Sequence, residues 1–287
     1  MRHRGAGRYS LPAPRSVARA GAWLAALAAV AGAAALVVQA AHAQSATTFS
    51  LQRDDTELVI ANLALASGGA RTIGNNRNCE EGQRLTMVYG PAPGRVETQV
   101  EDAVLTSTLA VIRAPVDAEE GAGDETLELT DATVSFNRPG CIEETEPAAQ
   151  PRVTLVQGRT EVVGSRFFLD RNVDEGVMDG PIELTRAAEE PGSGQPLTAT
   201  ADQMSFAVGE QRATLVGSVQ VTSEERVTSG DSLELDEEAG TAILVGNPAR
   251  SVKGSDVLEG NRLLYYLDSD DVVVIGNVTG ELEIDLD

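Results

Sequence analysis

Small residues recur in pairs sixteen positions apart through the C-terminal half of the chain: Gly164 and Gly180, Ala201 and Gly217, Gly230 and Gly246, Gly260 and Gly276. Apolar residues keep fixed places around each pair. Three positions after the first member stand Phe167, Met204, Leu233 and Leu263, and five after it Leu169, Phe206, Leu235 and Tyr265. Two before the second member stand Met178, Leu215, Leu244 and Val274, and two after it Ile182, Val219, Pro248 and Val278. Between the first two columns the residue varies freely, as Phe168, Ser205, Glu234 or Leu264. One apolar face with period two is what a half-buried strand requires. Four copies of such a strand-turn-strand unit predict hairpins stacked in register, with a continuous apolar surface along the array.

Elsewhere the chain also reads as strands. Leu63 and Leu65, then Leu85, Met87 and Tyr89, then Leu127 and Leu129, then Ala132, Val134 and Phe136 alternate, with turn-rich or acidic connectors at 90–94 and 117–125. No convincing helical stripe of 12 or more residues follows the first 43 residues. Residues 44–150 are expected to form an irregular N-terminal β region, and residues 151–287 the repeat region. Arg152 to Gly158 echo Arg212 to Gly217 with one residue inserted, which a β-bulge would absorb. The polar stretch 187–198 reads as a long hairpin connection, because the repeat resumes at Ala199. Leu282, Ile284 and Leu286 alternate with acids at the end of the chain and suggest an edge strand suited to assembly.

The first 43 residues read as an export signal: five arginines, no acid, an Ala/Val/Leu run from Ala22 to Val38, and Ala41-His42-Ala43 before Gln44 as a cleavage site. An uncleaved membrane anchor is the competing reading of that run. Cleavage near Ala43/Gln44 would place the protein in the periplasm or cell envelope. It would also remove five arginines, taking the formal charge from −22 to −27. Both histidines, His3 and His42, would go with it, leaving Lys253 as the single lysine of the chain. So acidic a surface repels nucleic acid. Cys79 and Cys141, an even pair in an exported chain, are expected to form a structural disulfide.

Catalytic chemistry finds little support. A chain without histidine past residue 43 has no Ser/His/Asp or Cys/His arrangement, and no phosphate loop or nucleophile elbow is present. The carboxylates fall in loops and on outward strand positions, so no acid/base pair stands out. Asp268-Ser269-Asp270-Asp271 lacks the glycine and closing glutamate of a calcium loop and reads as an acidic turn. No enzyme activity, cofactor or metal is expected.

The phrases Ala201-Asp202-Gln203-Met204-Ser205-Phe206, Ala213 to Val221, Gly230 to Asp236, Ala242 to Ala249, Gly260 to Tyr266 and Gly276-Asn277-Val278 resemble the OstA-like, LptA/LptC superfamily of lipopolysaccharide-transport proteins. The likeness spans about residues 151–287 and is faint over 44–150. It implies an all-β fold, an elongated open β-jellyroll of V-shaped stacked hairpins, with an apolar groove that shelters acyl chains. It also implies a non-enzymatic role in which like-folded modules, or copies of one chain, join by strand addition. The residues expected to line the groove are Phe167, Leu169, Met178, Ile182, Met204, Phe206, Leu215, Val219, Leu233, Leu235, Leu244, Leu263, Tyr265 and Val274, with an amphipathic envelope lipid as ligand. The same side chains would equally fill a closed core, and a structural envelope protein assembled head-to-tail through edge strands is the alternative.

Overall fold

Every regular element among the described residues is a β-strand, as the period-two alternation requires. The computed structural model describes residues 48–53, 56–63, 71–92, 95–118, 124–137, 140–188, 197–207, 212–267 and 271–281, with only the backbone of those before Cys79. The proposed leader and the terminal residues Leu282, Ile284 and Leu286 lie outside the described residues. The first strands are β1 (Thr48–Arg53), β2 (Thr56–Leu63), β3 (Arg71–Glu80), β4 (Gln83–Tyr89), β5 (Arg95–Val100), β6 (Ala103–Ser107) and β7 (Leu109–Pro115). Next come β8 (Thr126–Thr130), β9 (Ala132–Phe136), β10 (Ile142–Pro147), β11 (Val153–Gln157), β12 (Thr160–Gly164) and β13 (Arg166–Asp170). Six long strands follow: β14 (Glu175–Arg186), β15 (Leu197–Ala207), β16 (Arg212–Ser223), β17 (Arg226–Asp236), β18 (Thr241–Lys253) and β19 (Asp256–Tyr266). Two short ones, β20 (Val272–Ile275) and β21 (Thr279–Glu281), close the order.

The antiparallel pairings resolve into two walls. One wall runs β1, β2, β5, β6, β11, β12 and then the second half of β14. The other runs β3, β4, β7, β8, β13 and then the first half of β14. From β14 onward each long strand belongs to both walls, and β21 and β20 end the first and second wall respectively. Both walls run through residue 150 without a break, since β11 pairs with β6 and β13 with β8. The expected all-β, open, stacked-hairpin jellyroll is what forms.

The small-residue pairs mark the corner where each long strand crosses from wall to wall. Registers slip between Asp179 and Ile182, Thr200 and Gln203, Val216 and Val219, Ser229 and Ser232, and Val245 and Ala249. Backbones crowd there. A Cβ at Gly180 would sit 2.1 Å from the Asp202 carbonyl oxygen, and Gly217 has φ +81° with Asp202 Oδ2 2.3 Å from where its Cβ would be. The corner of β18 is one residue longer than that of β16, so the inward place taken by Val219 passes to the buried Ala249, and Pro248 is exposed. Pro248 and Val278 therefore leave the apolar column that spacing assigned them. The segment Arg152 to Gly158 also differs from its supposed echo: β11 lies in the first wall in unbroken register, with no bulge. As expected, the polar stretch 187–198 joins an antiparallel hairpin, with Arg186 opposite Leu197.

A second apolar layer covers the N-terminal part of the second wall. The hairpin β9–β10 lays Ala132 and Val134 against Leu85, Met87, Tyr89, Leu109 and Val111, with Phe136, Ile142 and Cys79 packed alongside. Cys79 and Cys141 form a disulfide that ties β3 to the start of β10. Closing a loop of 62 residues stabilises the fold by about 4 kcal/mol in the chain-entropy model.

On the solvent side, arginines tie neighbouring strands. Arg113 donates to Glu128 at 2.8 Å, and Arg166 donates to Glu128 at 2.7 Å and to Asp179 at 3.2 Å. Burial alone would push the Glu128 carboxyl up, but the bonds from Arg166 and Arg113 outweigh it and hold it below its usual 4.5. A depressed folded value means that this stabilisation is complete above pH 4.5 and is lost as the pH falls through the folded value. Glu128→Gln should therefore lower stability at neutral pH and flatten its loss below pH 4.5, read as urea midpoints across an acid series. Gly180→Ala should cost about 1–3 kcal/mol by overpacking the corner. Gly254→Ala, in an open turn at φ +61°, should cost only about 1 kcal/mol for the left-handed backbone.

Candidate functional site

The inward columns of both walls meet in one core. Of the fourteen groove candidates, Phe167, Leu169, Met178, Ile182, Met204, Leu215, Val219, Leu233, Leu235, Leu244, Leu263 and Tyr265 are buried in it, and Phe206 and Val274 pack against it partly buried. Phe167 and Phe206 stack at 5.5 Å with planes 14° apart, within the range of favourable aromatic pairs. Most of the expected groove is thus filled by its own side chains.

Free space remains where the first wall, at β11, β12 and β14, faces the second at β15 to β17. A narrow cleft of about 30 Å³ is lined by Leu155, Val162, Leu184, Met204, Phe206, Ala213 and Leu235, and rimmed by Gln157, Thr160, Arg212 and Glu237. Met204, Phe206 and Leu235 are the groove candidates that reach it. Leu155, Val162, Leu184 and Ala213 were not singled out by spacing. Leu184 nonetheless continues the alternation from Ile182 along β14, and that signal was available.

Beyond the rim lies a polar hollow of about 390 Å³ bounded by Asp102, Gln157, Gly158, Arg159, Arg186, Glu237, Glu238, Ala239 and Gly240. The lips of the two walls touch between cleft and hollow. Arg186, at the end of β14 and only 4% exposed, donates from Nε to Glu237 at 3.0 Å and from Nη1 to the Leu267 carbonyl at 3.0 Å. Thr160 at the start of β12 donates to the other oxygen of Glu237 at 2.6 Å. These residues carried no sequence signal, since a charged residue at a strand end reads as solvated.

Toward the C-terminal end the interior turns polar. Tyr265 on the second wall donates to Thr228 on the first, Thr228 bonds Ser251 at 3.1 Å, and Arg226 donates to Ser251 at 3.3 Å. All three hydroxyl residues are buried, and the network joins the walls where apolar packing thins. The arrangement offers an apolar slot with a polar rim. Among the described residues no group of three or more His, Cys, Asp or Glu side chains is placed to hold a metal ion.

No protein-family model and no curated protein matches the chain. Among solved structures it is similar to LptH of Pseudomonas aeruginosa, described as the LptA-homologous periplasmic component of the conserved lipopolysaccharide transport device. Identity is 13% and the TM-score 0.36, over 44% of this chain and 95% of that one.

Tyr265→Phe should lower stability by about 1 kcal/mol, the net worth of one hydrogen bond. Thr228→Val takes one partner from both Tyr265 and Ser251 and should cost more, up to about 3 kcal/mol. Equal urea midpoints for the two variants would count against a wall-to-wall role for the network.

Proposed function

We propose that this protein is exported to the periplasm or cell envelope and there shelters or bridges an amphipathic envelope lipid, lipopolysaccharide or a related one, without catalysing a reaction. The observation that carries the proposal is the cleft between the walls, with seven apolar side chains below a rim of Gln157, Thr160, Arg212 and Glu237. Such a slot matches a molecule with an apolar tail and a polar head, and pockets of this kind are concave and mostly apolar. The leader and the likeness of the repeat to the OstA-like superfamily support the same reading. Each methylene drawn from water adds about 0.8 kcal/mol, so shape and tail length govern affinity more than polar contacts do.

The test is gentle purification followed by mass spectrometry of bound lipid. Lipid should accompany the protein, and Ala213→Phe, which fills the cleft with a ring, should lose it while keeping its melting temperature. Lengthening an acyl probe by two carbons should tighten binding about tenfold until the cleft is full. Protein that carries no lipid and shows no dependence on tail length would end the proposal.

A second reading, head-to-tail assembly with another copy or a like-folded module, rests on the end of the array. Among the described residues β20 and β21 pair only with β19, and Val273, Ile275 and Val278 are 45%, 47% and 58% exposed. An open strand edge with apolar side chains is suited to strand addition. Concentration-dependent oligomers that disappear with Ile275→Lys, or on deleting residues 281–287, would support this assembly. A monomer at all concentrations would refute it.

A further inference from the structure

We propose that Arg186, Thr160 and Glu237 form a releasable clasp across the lips of the two walls, and that an apolar chain enters and leaves the cleft when it opens. The cargo rests on the lipid-sheltering reading above, whereas the clasp itself rests on geometry. β12 and the end of β14 belong to the first wall, and the turn between β17 and β18 that carries Glu237 belongs to the second. Among the described residues no strand pairing connects them at the lips, where the Arg186 and Thr160 side chains bridge the gap. One carboxylate takes both donors, Thr160 at 2.6 Å and Arg186 at 3.0 Å, and Arg186 adds a second contact to the same wall at the Leu267 carbonyl.

The location is what a gate requires. Gln157 and Glu237 line both the apolar cleft and the polar hollow outside it, so the clasp stands on the boundary between them. The second-wall side is also able to move as a piece. Leu267, whose carbonyl accepts from Arg186, donates its own N–H to the Gly240 carbonyl at 2.9 Å, joining the two turns that face Arg186. Glu237 opens that turn, and Gly240 closes it at φ +64°. Two walls hinged at a corner of small residues and clasped at the lips form a jaw. A charge-assisted pair gives the lips a polar contact to exchange for water when they part.

Two spin labels on outward positions, Thr185→Cys and Glu234→Cys, report the gap between the walls, and a fluorescent dodecanoic acid reports exchange. Glu237→Gln keeps the size of the side chain and removes its charge. It should lengthen or broaden the label distances and speed release of the probe at least tenfold. Thr160→Val removes one donor without leaving a charge, and should shift both readouts the same way to a lesser degree. Conversely, Thr160→Cys with Glu237→Cys, joined by a short bis-thiol reagent, should slow exchange at least tenfold. Superimposable label distances in parent and Glu237→Gln protein would overturn the clasp, as would unchanged exchange in the cross-linked protein. If no form binds the probe, the lipid reading falls, and the label distances alone decide the clasp.

Discussion

Six successive strands leave one wall and enter the other at the same level, and the rest of the molecule depends on how the backbone passes that corner. A ladder of hydrogen bonds cannot bend sharply without losing a rung, so each crossing carries a register slip. The slip also resets which side chains point inward. Strands going from the second wall to the first space their inward residues as Met178 to Ile182, Leu215 to Val219 and Leu244 to Ala249. Strands returning space them as Ala201 to Met204, Gly230 to Leu233 and Gly260 to Leu263. These unequal spacings break simple alternation, and they keep both walls facing one interior. Because the chains approach closely at this level, residues without bulk are required. At Gly180 the neighbouring carbonyl leaves no room for a methyl.

That constraint explains how much the sequence disclosed. The second-wall columns were legible because every hairpin there is bounded by two corners and is wetted on its outer face, so small residues and alternation coincide. Leu244 held its place while Pro248 did not, since one extra residue in a corner displaces only the positions beyond it. The N-terminal region concealed its membership of the same walls for a different reason. β4 and β7 are covered on both faces, by the main core and by the β9–β10 hairpin. A strand such as Leu109 to Ile112 therefore loses the polar face that makes a period visible. The lip contacts were invisible for a third reason. Arg186 and Glu237 lie 51 positions apart in segments that look like any acidic connector, and only the stacking of the walls brings them together.

Charge respects the same division of inside and outside. The chain is strongly acidic, yet several arginines sit opposite acids on neighbouring strands, as with Arg212 and Asp236 at 3.0 Å or Arg250 and Glu259 at 3.2 Å. Arginine suits this use, because its planar fork spans two acceptors, as Arg166 does between Glu128 and Asp179. Each exposed pair adds little stability alone. Their collective effect is to remove like-charge repulsion between adjacent strands, which would otherwise oppose stacking. The remaining acids fall in turns and at exposed strand positions such as Glu144, Glu161, Glu183 and Glu234, where they solvate the array.

The position of the cleft is set by a gradient along the first wall. Its second inward layer reads Leu184, Ala199, Val221, Thr228 and Ser251 along β14 to β18, so apolar bulk gives way to hydroxyls toward the C-terminal end. There Tyr265 reaches across and bonds Thr228, and the interior closes on itself. Near the corner the large residues Met178, Leu215 and Ile182 interlock and leave no slot. The cleft opens where the small Ala213 of the second wall faces Leu155, Val162 and Leu184 of the first. Its lip is set by the Arg186–Glu237 contact. An occupant larger than one slender tail has to part the walls, and the lip contact is then the first interaction it must break.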